Sequence, residues 1–320
     1  MFGVYPEDFL QKSIKREPAV SKISDRGKLL YGQVQRSAMN WPFAVADEMD
    51  FFAEENLEVQ AKTFTAAPEP VTQLIDGSLD LINVIPDVAL FEIVKGAPLC
   101  LIANSNTRAQ YRLMVQREIR DVKDLKEKKI GVNDGRSAEA LILRRLLRTN
   151  GIKPDSYELV PSGSPPERCK KLKEGHVAAT MVTQPFDFVL EEEGFKWLAS
   201  SSDVAPHYPF TVCVVRREER INEAIVSFLN SLKRTWHWLS NGRNRKRAVA
   251  ILSRWTGTPE KQAEATYDLY LDPPFPPSLA PTEEGVRTVL ELLAESGQLP
   301  LPLPPARRYI DERYLERLEA

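Results

Sequence analysis

The stretch LIDGSLDLINVIPDVAL, residues 74–90, decides the fold class of this chain. An amphipathic segment over 69–75 ends at an Asp-Gly turn, and a near-continuous apolar run over 79–85 follows it. Such a short apolar run predicts a strand that is covered on both faces, as strands of parallel sheets are. A second helical segment over 87–95 comes next and is closed by Gly96. Helix, buried strand and helix in this order predict an α/β architecture with mostly parallel sheets.

The alternation of strand and helix extends in both directions from this stretch. We predict strands at 28–35, 57–63, 79–85, 99–103, 112–116, 129–132, 157–160, 178–182 and 211–215. We predict helices at 42–52, 69–75, 87–95, 122–127, 137–149 and 166–174. From residue 221 onward the pattern is mostly helical, with segments near 221–239, 244–255, 259–270, 283–296 and 311–318.

Composition limits the class of protein. At roughly 150 residues per domain, a chain of 320 residues predicts two domains. Apolar residues make up 42% and charged residues 28%, which excludes wholesale disorder and a collagen. A net charge of −2 gives no overall attraction to nucleic acid or anionic lipid, and the apolar runs are too short to span a bilayer. Three cysteines and three histidines form neither a disulfide framework nor a zinc pattern, so we expect no cofactor and no metal.

The N-terminal part, residues 1–29, contains no apolar stretch of the length found in a signal peptide. If Met1 is the native start, we expect a cytoplasmic protein. If an upstream signal peptide was removed, we expect a periplasmic or other extracytoplasmic one.

Three further stretches carry a resemblance to a known family. They are AVADEMDFFAEENLE at 44–58, KGAPLCLIA at 95–103 and DVKDLKEKKIGVNDGRSAEALILRRLL at 121–147. Together with 74–90, they resemble the SsuA/THI5-like group of type II periplasmic binding proteins, the solute-binding components of NitT/TauT-type ABC transporters. Asp50 and Asn56 stand where the family usually has Gly; both residue types tolerate the left-handed conformation, so we expect these turns to survive.

The resemblance implies two α/β lobes with a ligand cleft between them. Residues 1–27 would be an N-terminal extension. One lobe would combine 28–110 with 212–320, and the other would be the continuous insert 111–211. Ligands of open α/β sheets bind at the carboxyl ends of the strands, so we expect the ligand contacts in the loops that follow the strands. The residues predicted to bind ligand are Arg36, Ser37, Asn40, Trp41, Thr65, Ala66, Pro86, Asn104, Gly135, Arg136, Ser137, Thr183, Gln184 and His207.

The chemistry expected of these loops differs between the lobes. Trp41 would stack on a planar ligand while Arg36 or Asn40 holds a polar edge; the alternative makes Trp41 a packing anchor at the start of its helix. In the insert, the helix start at Ser137 offers backbone N–H groups to an anion, and Arg136 adds a guanidinium. The alternative is that Ser137 only caps its helix. Asp87 is interpreted as a helix cap in preference to a ligand contact.

The function expected from the resemblance is solute binding without catalytic residues. The ligand would be small, anionic or aromatic, such as a sulfonate, an aromatic carboxylate or a pyrimidine precursor. We expect a monomer whose partners are this small molecule and an ABC permease, without nucleic acid and without an integral membrane segment. The alternatives are a cytosolic enzyme on the same scaffold, either a lyase or decarboxylase or one like thiamin-pyrimidine synthase, and a ligand sensor. The chain has no cysteine cluster of the kind associated with the synthase, and Ser37 stands where the related aromatic sulfinate desulfinase has a cysteine.

Overall fold

The computed structural model describes residues 27–34, 37–65, 67–107, 110–272 and 278–319. The first sheet contains β1 (Gly27–Val34), β2 (Leu57–Phe64), β3 (Leu81–Val84), β4 (Leu99–Asn106) and β10 (Thr211–Arg216), in the order β2-β1-β3-β10-β4. The second contains β5 (Arg112–Val115), β6 (Lys129–Val132), β7 (Glu158–Pro161), β8 (Ala179–Val182) and β9 (Lys196–Ser200), in the order β7-β6-β8-β5-β9.

The strand directions confirm mostly parallel sheets, with one exception in each. β10 runs antiparallel to both of its neighbours, β3 and β4. In the second sheet, β5 runs antiparallel to both β8 and β9. The other four strands of each sheet therefore point the same way. The antiparallel strand is in each case the one that the chain enters directly after passing from one sheet to the other.

The two sheets form the two lobes of the α/β fold. The chain leaves the first sheet after β4, completes the second sheet with β5 to β9, and returns through β10. One lobe is thus built from two separated parts of the chain and the other from one continuous part. We retain the predicted boundaries, 28–110 with 212–320 and 111–211, as a proposal.

Helices flank the sheets. Those before the second sheet are α1 (Trp41–Glu48), α2 (Phe51–Glu54), α3 (Pro68–Ile75) and α4 (Pro86–Val94). Those among the strands of the second sheet are α5 (Ala138–Thr149), α6 (Pro165–Lys173) and α7 (Phe186–Glu192). Those after β10 are α8 (Glu223–Ser240), α9 (Arg245–Thr256), α10 (Glu260–Tyr270), α11 (Glu283–Glu295) and α12 (Arg313–Glu319).

The first lobe is held together by an aromatic cluster beneath β1. Tyr31 stacks on Phe43 with ring centroids 4.7 Å apart, and Phe52 stacks on Phe228 at 5.3 Å. These rings come from β1, α1, α2 and α8, so the helix α8, which follows β10 in the chain, packs against the core that the first strands begin. Stacked aromatic pairs add stabilisation beyond the area that they bury.

Three predictions need correction. The helix predicted over 42–52 is two helices, because Asp50 adopts the left-handed conformation (φ 59°) between α1 and α2. The strand predicted to end at residue 103 continues to Asn106, which places Asn104 inside β4. Strand β9, KWLAS, was not predicted, because its short mixed sequence has no clear alternation. The expected turns survive: Asp50 and Asn56 both have positive φ values.

Candidate functional site

A cavity of about 640 Å³ lies between the two lobes. Its walls come from the loops and helix starts at the carboxyl ends of strands in both sheets, as expected for this fold. Six of the predicted ligand contacts line it: Ser37, Asn40, Thr65, Arg136, Ser137 and Thr183. Their contact with a ligand stays a prediction. Arg36 and Ala66 lie outside the described residues.

The predicted role of Trp41 needs correction. Its side chain is fully buried, and it packs against Tyr267 and Tyr270 of α10 with ring centroids 5.9 and 6.2 Å away. It is not among the residues that line the cavity. Because α10 covers the ring, the predicted stacking on a ligand in this cavity is not supported. The alternative, a packing anchor at the start of α1, describes it.

Three other predicted contacts have structural partners and do not line the cavity. Asn104 donates through Nδ2 to the carbonyl of Ala280 at 2.9 Å. Gln184 accepts from the backbone N–H of Gln110 at 3.0 Å and donates to its carbonyl at 3.1 Å, so it holds the first crossover between the lobes. His207 lies half-exposed, 3.2 Å from Glu284.

The other two are backbone positions. Pro86 is the buried first residue of α4 and does not line the cavity. Gly135 lies in the loop before α5, where its carbonyl accepts from Nη1 of Arg144, and it does not line the cavity either. For all six predicted residues that miss the cavity, from Trp41 to His207, the expected contact with a ligand in this cavity is not supported.

The wall of the second lobe carries a buried ion pair that sequence reasoning missed. Glu139 of α5 and Arg168 of α6 are both buried, and Oε1 of Glu139 lies 3.5 Å from Nη1 of Arg168. Oε1 also accepts from the backbone N–H of Asn133 at 2.8 Å, and Nη1 donates to the carbonyl of Gly163 at 2.7 Å. Partners on separate helices leave no spacing signal in the sequence.

The start of α5 lies beside this pair. Ser137 occupies the N-cap position, but its hydroxyl donates to the carbonyl of Asp134 at 2.8 Å and accepts no hydrogen bond from the helix. Ser137 is thus at the predicted N-cap position, but its side chain makes no capping hydrogen bond. Arg136 is exposed at the edge of the cavity, and among the described residues its guanidinium makes no ion pair. Backbone N–H groups and a guanidinium at this edge can hold an anion.

The wall of the first lobe carries a buried carboxyl group, Asp87, in the first turn of α4. Its Oδ1 accepts from the hydroxyl of Tyr208 at 3.0 Å. Burial raises the pKa of Asp87 to about 7, although the Tyr208 hydrogen bond acts in the opposite direction; the charges of Glu139 and Asp134 raise it further. The interpretation of Asp87 as the helix cap is wrong, because Ile85 is the N-cap residue of α4 and Asp87 lies in the first turn.

Tyr111 completes the polar surface near the crossovers. It is buried, lines the cavity, and has a pKa raised well above the ordinary value by burial and by the charges of Glu139 and Asp87. Tyr111 is therefore a neutral phenol at physiological pH, and its hydroxyl can donate a hydrogen bond to a ligand.

The described residues give no support for metal or thiol chemistry at the cavity. They contain no group of three or more His, Cys, Asp or Glu side chains that could hold a metal ion. Cys100, Cys169 and Cys213 are buried, and burial raises the pKa of each thiol to about 12. In the part of the chain that the structure covers, no helix has the length and apolar character needed to cross a membrane.

Salt bridges also join elements of the two lobes. Arg145 of α5 donates through Nε and Nη2 to Glu295 of α11 at 2.9 Å each. Nζ of Lys261 on α10 lies 2.6 Å from Oε1 of Glu192 on α7. Together with the hydrogen bond from Tyr208 to Asp87, these contacts hold the lobes together in the present conformation.

Residues 34–253 match the NMT1-like family, which is more than half of the chain. The chain belongs to the NMT1-like family. Proteins of Brucella abortus and Brucella suis, each named as a binding protein, are 28% identical to this NMT1-like chain over 182 residues. That match covers 56% of the chain and 56% of each relative, so the chain spans about half the length of the curated relatives it matches.

Solved structures share the fold of this NMT1-like chain. The ligand-binding component of an ABC-type import system from Staphylococcus aureus superposes with a TM-score of 0.74 at 18% identity, covering 91% of this chain and 98% of that one. The periplasmic aliphatic sulphonate-binding protein SsuA from Escherichia coli has a TM-score of 0.74 at 20% identity, covering 90% and 93%. The alkanesulfonate-binding protein SsuA from Xanthomonas axonopodis pv. citri, bound to MOPS, gives 0.73 at 18%, covering 90% and 99%. At these identities the likeness establishes the two-lobed fold.

Proposed function

We propose that this protein is a solute-binding protein that closes its two lobes around a small ligand and delivers it to an ABC permease. One observation carries the proposal: a cavity of about 640 Å³ lies between the lobes and is lined from both. A ligand held by both lobes stabilises the closed arrangement by its higher affinity for that state. The relatives named as binding proteins and the fold of the sulfonate-binding proteins support the same role.

The ligand class follows from size and from the start of α5. A cavity of about 640 Å³ accepts a small organic molecule. The α5 start and Arg136 would hold an acidic group such as a sulfonate or carboxylate. The apolar wall of Val71, Ile75, Val88 and Phe91 would cover the rest of the molecule.

The test has two stages. Native mass spectrometry of freshly purified protein shows whether a small molecule co-purifies, and a library of sulfonates, aromatic carboxylates and pyrimidines is screened by thermal shift. Each hit is then examined by small-angle X-ray scattering, where binding should reduce the radius of gyration. A library without a single hit, together with protein that carries no co-purified molecule, would contradict solute binding.

Arg136 provides the specific test of the acidic group. Arg136→Ala should weaken an acidic hit at least tenfold, because the group loses its guanidinium partner, while the melting temperature changes little because Arg136 is exposed. Lys153→Ala, an exposed cation of the same lobe that is outside the cavity lining, is the matched control. Equal binding by wild type and Arg136→Ala would remove the anion site and leave the solute-binding role standing.

A further inference from the structure

The charges around the cavity do not suit a ligand that is only an anion. Among the described residues, Asp87, Glu92, Asp134 and Glu139 line it, against Arg136 and Arg168. The excess of carboxylates over guanidinium groups makes the potential in the cavity unfavourable for a purely negative molecule. The partners of each carboxyl group indicate which of them is available to a positively charged ligand group.

The pairing of the four carboxyl groups separates Asp87 from the rest. Glu139 has Arg168 at 3.5 Å, and Glu92 has Lys95 at 3.0 Å. Asp134 is exposed and accepts from the backbone N–H of Arg136 at 2.6 Å. Asp87 is 3% exposed, and within the described residues it makes no ion pair; Tyr208 is the side chain that donates to it.

The surroundings of Asp87 make its negative charge costly. Ile85, Val88 and Phe91 lie beside it on the cavity wall, so an ionised carboxylate loses hydration that these side chains cannot replace. Residues that destabilise a fold in this way occur at sites where a ligand needs them. A cation that enters the cavity would restore the missing partner.

We propose, resting on the solute-binding role above, that Asp87 determines ligand specificity and that the ligand group it binds is a nitrogen cation: an ammonium, an amidinium or a protonated ring nitrogen. The carboxylate accepts from that N–H group with one oxygen while Tyr208 holds the other. An acidic group at the α5 start and a basic nitrogen at Asp87 can belong to one molecule, since the two walls face the same cavity. The cation then offsets the excess of carboxylates.

Three probes of equal shape and different charge test the proposal: benzamidinium, benzamide and benzoate. Their dissociation constants are measured by isothermal titration calorimetry at pH 8 with wild type and with Asp87→Asn. We expect Asp87→Asn to weaken benzamidinium at least tenfold, to change benzamide less than about threefold, and to leave benzoate unchanged or tighter, because a charge-assisted hydrogen bond is lost only by the cation. Glu69→Gln is the matched control: Glu69 lies in the first turn of α3, as Asp87 does in α4, but is exposed and outside the cavity lining.

The outcomes separate the two proposals. Benzamidinium that fails to bind wild type, or that binds Asp87→Asn as tightly as wild type, overturns the role of Asp87. If benzoate or benzamide binds and reduces the radius of gyration in that case, solute binding stands without it. If none of the three probes and no library compound binds, both proposals fail. The melting temperature of each variant, recorded in parallel, excludes unfolding as the cause of lost binding.

Discussion

Two buried carboxyl groups face the same cavity from opposite lobes, and they are held in different ways. Glu139 has a guanidinium partner, Arg168, and a backbone N–H from Asn133. Asp87 has a phenol, Tyr208, and a pKa raised to about 7 by burial. A buried carboxylate that has a cation and a backbone N–H as partners is satisfied within the protein and has a structural role. A carboxylate without a cation is a site at which stability has been lost and at which a ligand can restore it.

Removing the partner of Glu139 should produce the largest effect. Arg168→Met keeps the length of the side chain but leaves the Glu139 carboxylate buried without a cation, which should lower the free energy of unfolding by about 3–5 kcal/mol. Urea denaturation at pH 7.5 measures it. Lys170→Met, an exposed position on the same helix, should change stability by less than about 0.5 kcal/mol.

The double variant Arg168→Met with Glu139→Gln makes the comparison sharper. Neutralising Glu139 should recover at least about 1 kcal/mol of the loss, because the unpaired charge is gone. No recovery in the double variant would mean that Arg168 acts by packing alone and that the contrast with Asp87 does not hold.

Removing the charge of Asp87 should raise the free energy of unfolding, whereas removing the partner of Glu139 lowers it. Its pKa in the fold, about 7, lies above the ordinary 3.8, so the stability gained by binding the proton is fully present below pH ~4 and is lost as pH rises through 7. Asp87→Asn has no such loss. Without ligand, its advantage in unfolding free energy over wild type should grow by about 2 kcal/mol between pH 5 and pH 8.

Denaturation at several pH values checks this, with Glu69→Gln, at an exposed first-turn carboxylate of α3, as the matched control variant. The groups that act on Asp87 are Tyr208, Glu139 and Asp134, and all three remain in the variant. A difference that is equal at pH 5 and pH 8 would contradict an unpaired, buried carboxylate at this position.

The smallest effect is expected for a carboxylate paired at the surface between the lobes. Burial raises the pKa of Glu295, but the hydrogen bonds from Arg145 and Arg148 outweigh it, so the pKa lies below its ordinary value. Glu295→Gln should lower stability by about 0.5–1 kcal/mol at low salt, and less at 0.5 M salt, because exposed pairs are screened. Denaturation at both salt concentrations measures it. A loss of stability as large as that of Arg168→Met would mean that burial does not determine how much these ion pairs contribute to the free energy of unfolding.

Much of the fold could be predicted from local pattern. The strand Lys129–Val132 has the predicted bounds, and α5 begins one residue after the predicted start, because short apolar runs and a Ser N-cap are local signals. β9 could not be predicted, since KWLAS becomes a strand through its pairing with β5. The break at Asp50 was visible as a turn, but its effect on the helix was not.

Less of the candidate site than of the fold could be predicted from the sequence. Loops after strands could be located, which placed Ser37, Arg136 and Thr183 on the cavity. The burial of Trp41 depends on Tyr267 and Tyr270, which follow more than two hundred residues later, and no local pattern records that contact. The surroundings of Asp87 could not be predicted either, because the lack of an ion-pair partner among the described residues depends on the folded structure.

The position of β10 has a consequence for the order in which the protein is made. β4 is buried along its whole length, and among the described residues it joins the first sheet only through β10, apart from a single bridge from Leu101 to Ile310. A chain synthesised from its N-terminus therefore releases β4 long before either neighbour exists, whereas the strands β5 to β9 follow one another without interruption. The inserted lobe can complete its sheet first, and until Thr211–Arg216 leaves the ribosome the apolar edge of β4 is open to wrong partners. The lobe that begins the chain is the last to be finished.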